Sequence, residues 1–169
     1  MEHLIADQNY SKSFISNGPI KDDNPRTRAW LEVNPAAIEH NARILKELLS
    51  EKCELMAVVK ADGYGHGAAA VSKAALIGGA SSLGVATLRE GIELRQSGIN
   101  APILLLGNLI DAEDLRICFF WQIMPTLSSQ REAFICQNLA SDSGKNFEVQ
   151  IKFDTGMTRL GCDLKDAFD

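Results

Sequence analysis

Residues that usually advertise a function are scarce in this chain. Its four cysteines, Cys53, Cys118, Cys136 and Cys162, lie far apart and form no CxxC pair. No histidine stands at a ligand spacing from any of them, so a structural metal is not expected. Scattered cysteines of this kind are more often reduced thiols than bridges, which points to a cytoplasmic protein. Basic clusters are missing too. The formal net charge is -5 and the pI about 5.2, a balance that argues against a nucleic-acid surface. No apolar run approaches the roughly 18 residues that cross a bilayer. The first thirty residues lack a basic start followed by an apolar stretch, so neither secretion nor a membrane partner is expected. Tyrosine is rare, with Tyr10 and Tyr64 the only two.

What is present suits a globular domain. Hydrophobic residues make up 46% and charged residues 23% of 169 residues, enough apolar surface for a buried core. Residues 1–26 are polar and aperiodic and read as a flexible N-terminal extension; residues 27–169 read as the folded part. A short strand is expected over Ala29–Val33. Asn34 then caps a helix with Pro35 at its first position, and Ile38, Ala42, Leu45 and Leu49 recur on one face. Strand-like runs follow at 55–60, 83–86, 102–106, 122–127 and 147–153, separated by helical stretches near 67–78, 88–97, 112–120 and 130–140. Thr87-Leu88-Arg89-Glu90 and Ser129-Gln130-Arg131-Glu132 fit the capping box, Asp111 fits a helix cap, and Gly98 fits a helix stop.

Strict alternation of strand and helix implies an α/β fold with parallel strands and right-handed crossovers. Five βα units could form an open doubly wound sheet or the first part of a barrel, and pattern alone does not choose. No G-x-G-x-x-G follows the first strand, so the nucleotide-binding fingerprint is lacking. Leu164–Asp169 reads as the start of one more helix, without a termination signal.

The segment Met56-Ala57-Val58-Val59-Lys60-Ala61-Asp62-Gly63-Tyr64-Gly65-His66-Gly67 carries the chemistry. Its apolar run reads as a buried parallel strand, so Lys60 stands at the carboxyl end, where α/β folds gather their functional groups. A lysine amine in its neutral form attacks aldehydes. The three glycines let a backbone approach a ligand closely. From Lys60 alone a solvated strand-end lysine is the plainer reading.

The full string closely resembles the cofactor-lysine segment of alanine racemases, which use pyridoxal phosphate (PLP). Two further segments match in the same order. Arg28-Ala29-Trp30-Leu31-Glu32-Val33-Asn34, with Ala37, His40, Asn41 and Leu45, resembles the family's opening strand and helix. Lys152-Phe153-Asp154-Thr155-Gly156-Met157-Thr158-Arg159-Leu160-Gly161 resembles its second signature. The resemblance implies about five βα units of a PLP-binding (β/α)8 TIM-type barrel. It implies that Lys60 joins covalently to PLP and serves as one of two acid/base groups on the substrate α-carbon. Tyr64 would hydrogen-bond the cofactor phosphate, and Arg159 would reach the pyridoxal oxygen and the substrate. Lys152 matches a lysine that many members carry as a carbamate, an anion able to hold that arginine. His66 has no expected task beyond local hydrogen bonding.

The implied reaction is interconversion of L- and D-alanine, with homodimers as the family's assembly. The family's opposing tyrosine base belongs to a C-terminal β domain, and most of its phosphate site to later barrel strands; neither has a match in this chain. This chain is therefore expected to be a partial N-terminal domain with weak or absent racemase activity by itself. The alternative is a non-catalytic PLP-binding module, or a half-protein completed by a partner.

Overall fold

The computed structural model describes residues 31–109 and 111–167. The extension over 1–26, and Arg28, Ala29 and Trp30 of the expected opening strand, lie outside them; Leu31, Glu32 and Val33 are irregular rather than a strand.

From Asn34 onward the chain forms one unit. Helix α1 (Pro35–Glu47) begins where the sequence says it should. The Asn34 side chain accepts the Ala37 N–H at 3.2 Å, which satisfies one of the free donors of the first turn. Five strands follow: β1 (Met56–Val58), β2 (Ser82–Val85), β3 (Ile103–Leu105), β4 (Met124–Leu127) and β5 (Gln150–Ile151). All neighbours are parallel, and the spatial order is the chain order, β1-β2-β3-β4-β5. A doubly wound sheet reverses direction partway, as in the order 3-2-1-4-5. Stepping always the same way is how a barrel wall is laid down, so the structure decides between the two architectures that pattern left open.

Between the strands run α3 (Ala68–Ile77), α4 (Leu88–Gln96), α5 (Ala112–Trp121) and α6 (Gln130–Ser143). Thr87 and Ser129 form reciprocal capping boxes with Glu90 and Glu132, and Asp111 caps α5. The helices cover the sheet face that carries Leu83, Val85, Ile103 and Leu105, all buried against Leu94, Leu115, Cys118 and Ile123. Each such side chain contributes roughly 1.5–3 kcal/mol by leaving water. Cross-strand register puts Val58, Gly84, Leu104 and Met124 side by side on the opposite face. A smaller cluster, Ala42, Ala75 and Ala80, joins α1 to α3. There Gly78 is required, because a Cβ would lie 2.4 Å from the Glu39 carbonyl oxygen.

All four cysteines are free thiols. Burial pushes Cys118 up to about 12 and Cys136 to about 11, leaving both as inert core groups.

Two further elements depart from the sequence reading. The last strand is two residues long rather than seven, with Gln150 and Ile151 exposed, while Phe147 and Val149 pack on the core outside it. And a further helical segment, α2 (Lys60–Gly65), begins at the lysine itself.

Candidate active site

The carboxyl edge of the sheet is built from the ends of its strands. At β1, the chain passes from Val59 into Lys60 and then winds the wrong way. Ala61, Asp62, Gly63 and Tyr64 have φ of 51°, 53°, 61° and 56°, so α2 contains a left-handed turn. Each non-glycine residue there costs roughly 1–2 kcal/mol, and three of the four are not glycine. Such strain persists only where the surroundings over-determine it.

They do so with hydrogen bonds from near and far. Gly63 N–H donates to the Val59 carbonyl at 2.9 Å, and Gly67 N–H to the Asp62 carbonyl at 2.9 Å. Asp62 Oδ1 accepts the Ala68 N–H at 2.7 Å, so the turn supplies the carboxylate at the start of α3. His66 Nδ1 lies 3.1 Å from the Tyr64 carbonyl and 3.2 Å from that of Gly63. Both oxygens are acceptors, so this nitrogen must carry a proton to bond either one. One more bond comes from far along the chain. Glu90 Oε1 accepts the Ala61 N–H at 2.7 Å, across 29 residues.

Glu90 is already the partner in its own capping box: its Oε2 accepts the N–H groups of Ala86 and Thr87 at 2.8 and 3.0 Å. Burial alone would raise its pKa. The hydrogen bonds from Ala61, Ala86 and Thr87 outweigh burial and hold the carboxyl below the usual glutamate range. Gly63 is buried against Val71, whose Cγ2 would sit 3.0 Å from an added Cβ.

On this platform the Lys60 amine lies 6.0 Å from the Tyr64 ring centroid, at the outer limit of a cation–π contact. Lys60 is half-buried, and its amine makes no hydrogen bond or ion pair among the described residues. Tyr64 is 59% exposed.

At the end of β5, Lys152 donates its backbone N–H to the Leu127 carbonyl and its Nζ to the Leu106 carbonyl at 2.8 Å, just past β3. The chain then loops back on itself. Asp154 N–H donates to the Cys162 carbonyl, Cys162 N–H to the Lys152 carbonyl, and Phe153 pairs with Cys162 as an isolated bridge. Inside the loop, Asp154 Oδ1 accepts the Gly156 and Thr158 N–H groups, each at 2.9 Å. Those bonds hold its carboxyl below the ordinary range. Arg159 rides on this loop, exposed and without a hydrogen bond or ion pair among the described residues. No such bond joins Lys152 to Arg159.

The structure thus brings Lys60 and Tyr64 together and sets Lys152 at the same strand-end edge, with Arg159 on the loop that follows. Sequence reasoning missed Glu90 as part of this edge. Its one signal was the capping box just after β2, which accounts for Oε2 but not for Oε1.

The family model for the alanine racemase N-terminal domain matches residues 33–169. The chain belongs to the alanine racemase family. An alanine racemase of Prochlorococcus marinus is 60% identical over 147 residues, 87% of this chain and 38% of that protein. Among solved structures, alanine racemase from Bacillus anthracis with bound L-Ala-P has a TM-score of 0.71 at 36% identity, covering 79% of this chain and 34% of its own. Alanine racemase from Bartonella henselae with covalently bound pyridoxal phosphate has a TM-score of 0.68 at 33% identity, covering 79% and 37%. The five-stranded parallel sheet and its helices are the N-terminal part of the racemase barrel. The chain spans well under half the length of these alanine racemases.

Proposed function

We propose that this chain carries the lysine side of a PLP-dependent racemase site that acts on alanine. The observation that carries the reading is the Lys60 amine itself. It stands at the carboxyl edge of a barrel-type sheet, half-buried, without a hydrogen bond or ion pair among the described residues, beside an exposed tyrosine. An amine so placed fits an aldehyde cofactor, whereas a lysine locked into an ion pair would not. The Bartonella and Bacillus relatives, with covalently bound pyridoxal phosphate and with L-Ala-P, support the same cofactor and substrate class.

PLP, when bound, supplies an electron sink for the pair left on the α-carbon as a proton departs. The chain's part is to hold that group and move the proton. Lys60 would bind the cofactor aldehyde carbon and, once displaced by substrate amine, move the α-proton on its own face. The Tyr64 hydroxyl would hydrogen-bond the phosphate, and Arg159 would face the pyridoxal oxygen and substrate. Lys152, if carbamylated, would become an anion able to orient Arg159 in place of its present bond to the Leu106 carbonyl. Racemisation needs proton transfer on both faces. With Tyr64 placed on the Lys60 side, the described residues supply one such group, and the chain alone is proposed to turn over slowly or not at all.

The test is to incubate the chain with PLP, reduce with borohydride, and map the modified lysine by mass spectrometry. Selective modification of Lys60, lost in Lys60→Ala while the circular dichroism stays unchanged, is the expected result. Label scattered over surface lysines would overturn the reading. Robust alanine racemisation by the isolated chain would overturn the claim about the second group.

A further inference from the structure

The two capping boxes of this chain are alike, and one does more than cap. After β2, Glu90 Oε2 accepts the N–H groups of Ala86 and Thr87. After β4, Glu132 Oε2 accepts those of Ser128 and Ser129 at 2.6 and 3.2 Å. In each box the serine or threonine hydroxyl accepts the glutamate's own N–H, at 3.3 Å for Glu90 and 3.4 Å for Glu132. A capping box needs one side-chain oxygen at this position, and glutamine serves there as well as glutamate. Glu132 makes no bond beyond its cap among the described residues. Glu90 places its second oxygen 2.7 Å from the Ala61 nitrogen.

Ala61 is the residue after Lys60 and the first of the left-handed turn. Its N–H belongs to the peptide unit that contains the Lys60 carbonyl. Holding that N–H fixes the orientation of the peptide plane, and with it the direction in which the Lys60 side chain leaves the backbone. We propose that Glu90 is a positioning residue for Lys60, one carboxylate oxygen capping α4 and the other anchoring the Ala61 peptide. The assignment of a task to Lys60 rests on the PLP reading above; the anchoring of Ala61 does not.

Glutamine at position 90 keeps one accepting oxygen and turns an NH2 toward the other N–H, where two donors then meet. Because the box tolerates glutamine, Glu90→Gln is expected to fold, and Glu132→Gln reports what the same change does in a box that only caps. Glu90→Asp, shorter by one methylene, is a second variant that retains the charge but not the reach. Two readouts are taken on the full chain. Amide hydrogen exchange at Ala61 is expected to speed up roughly tenfold or more in Glu90→Gln and Glu90→Asp, the loss of one charge-assisted bond, and to stay at the wild-type rate in Glu132→Gln. The fraction of borohydride-fixed PLP found on Lys60, relative to all other lysines, is expected to fall about as much in the same two variants and not in the control.

Unchanged exchange at Ala61 would overturn the proposal, and so would an equal effect from Glu132→Gln. Faster exchange with undiminished selectivity for Lys60 would overturn it as well, leaving Glu90 as a clamp on the turn alone. Should wild-type chain fail to label at Lys60, the PLP reading falls, and the exchange measurement still decides whether Glu90 anchors the peptide.

Discussion

The loops that follow β1 and β5 both pass through positive φ, and both carry a cation proposed for the site, yet they are fastened differently. The β1 loop is tied from outside. Glu90, 29 residues away, takes its first N–H, and Asp62 ties its far end to α3. The β5 loop is tied to itself: Asp154 takes the N–H groups of Gly156 and Thr158, and across its neck Cys162 donates to the Lys152 carbonyl and accepts from the Asp154 N–H. One loop is therefore part of the folded body, and the other is a closed ring hung on an edge strand. Lys60 stands on a platform tied into the folded body, while Arg159 is presented on a loop fastened by its own bonds.

That difference can be broken or sharpened by substitution. The largest effect is expected at Gly161, where φ is +111° and a Cβ would sit 2.6 Å from the Asp154 nitrogen. Gly161→Ala should cost the β5 loop about 2–4 kcal/mol of local stability from clash and backbone strain together. Amide exchange would show it as lost protection at Asp154 and Cys162, with the Ala61 amide unaffected. If Ala61 responds too, the two loops are not independent.

Next comes truncation of the two capping glutamates. Each of Glu90→Ala and Glu132→Ala should lose a cap, about 1 kcal/mol in urea unfolding. Glu90→Ala should lose about 1 kcal/mol more, for the stranded Ala61 donor. Equal losses would mean that the long bond contributes nothing to stability.

Acid titration separates the loops further. The Glu90 carboxyl has a lowered folded pKa, so its contribution is present above the unfolded glutamate value, near 4.3, and disappears as pH falls through the lower folded value. Global stability of Glu90→Gln should therefore fall less steeply than wild type across that window. Asp154 is lowered in the same direction. Its protonation should free amides of its own loop, those of Gly156 and Thr158 first, visible by exchange and not in the global unfolding curve.

The smallest effects are expected from glycine. Ala61→Gly and Thr158→Gly both relieve a positive φ and should stabilise by about 0.5–1 kcal/mol at most. Differential scanning calorimetry should register the gain for Ala61→Gly, in the loop joined to the core, and little for Thr158→Gly.

Much of the scaffold was legible because its signals are local. Asn34, Thr87, Asp111 and Ser129 each cap the helix that their side-chain chemistry predicts, and apolar runs mark every strand. Strand order was not legible in the alternation, which barrels and doubly wound sheets share; the barrel was implied by the family resemblance, and the sheet bears it out. The length of β5 was misjudged because Phe147 and Val149 are apolar for packing on the core, while the paired residues, Gln150 and Ile151, sit on an edge. The left-handed turn was not legible, because Ala61 and Tyr64 disfavour that backbone and adopt it under bonds that close over distance. Lys60 was singled out by motif, and the bond that holds its neighbour could be found only in three dimensions.

The dual bonding of Glu90 also has a consequence for how this stretch of chain can change in length. Loops between strands and helices ordinarily tolerate insertions well. Between Val85 and Leu88 there is no such slack, because one added residue would rotate and lift α4 and carry Glu90 away from Ala61. The corresponding stretch between Leu127 and Gln130 carries no such long-range tie among the described residues, because Glu132 bonds only within its own cap.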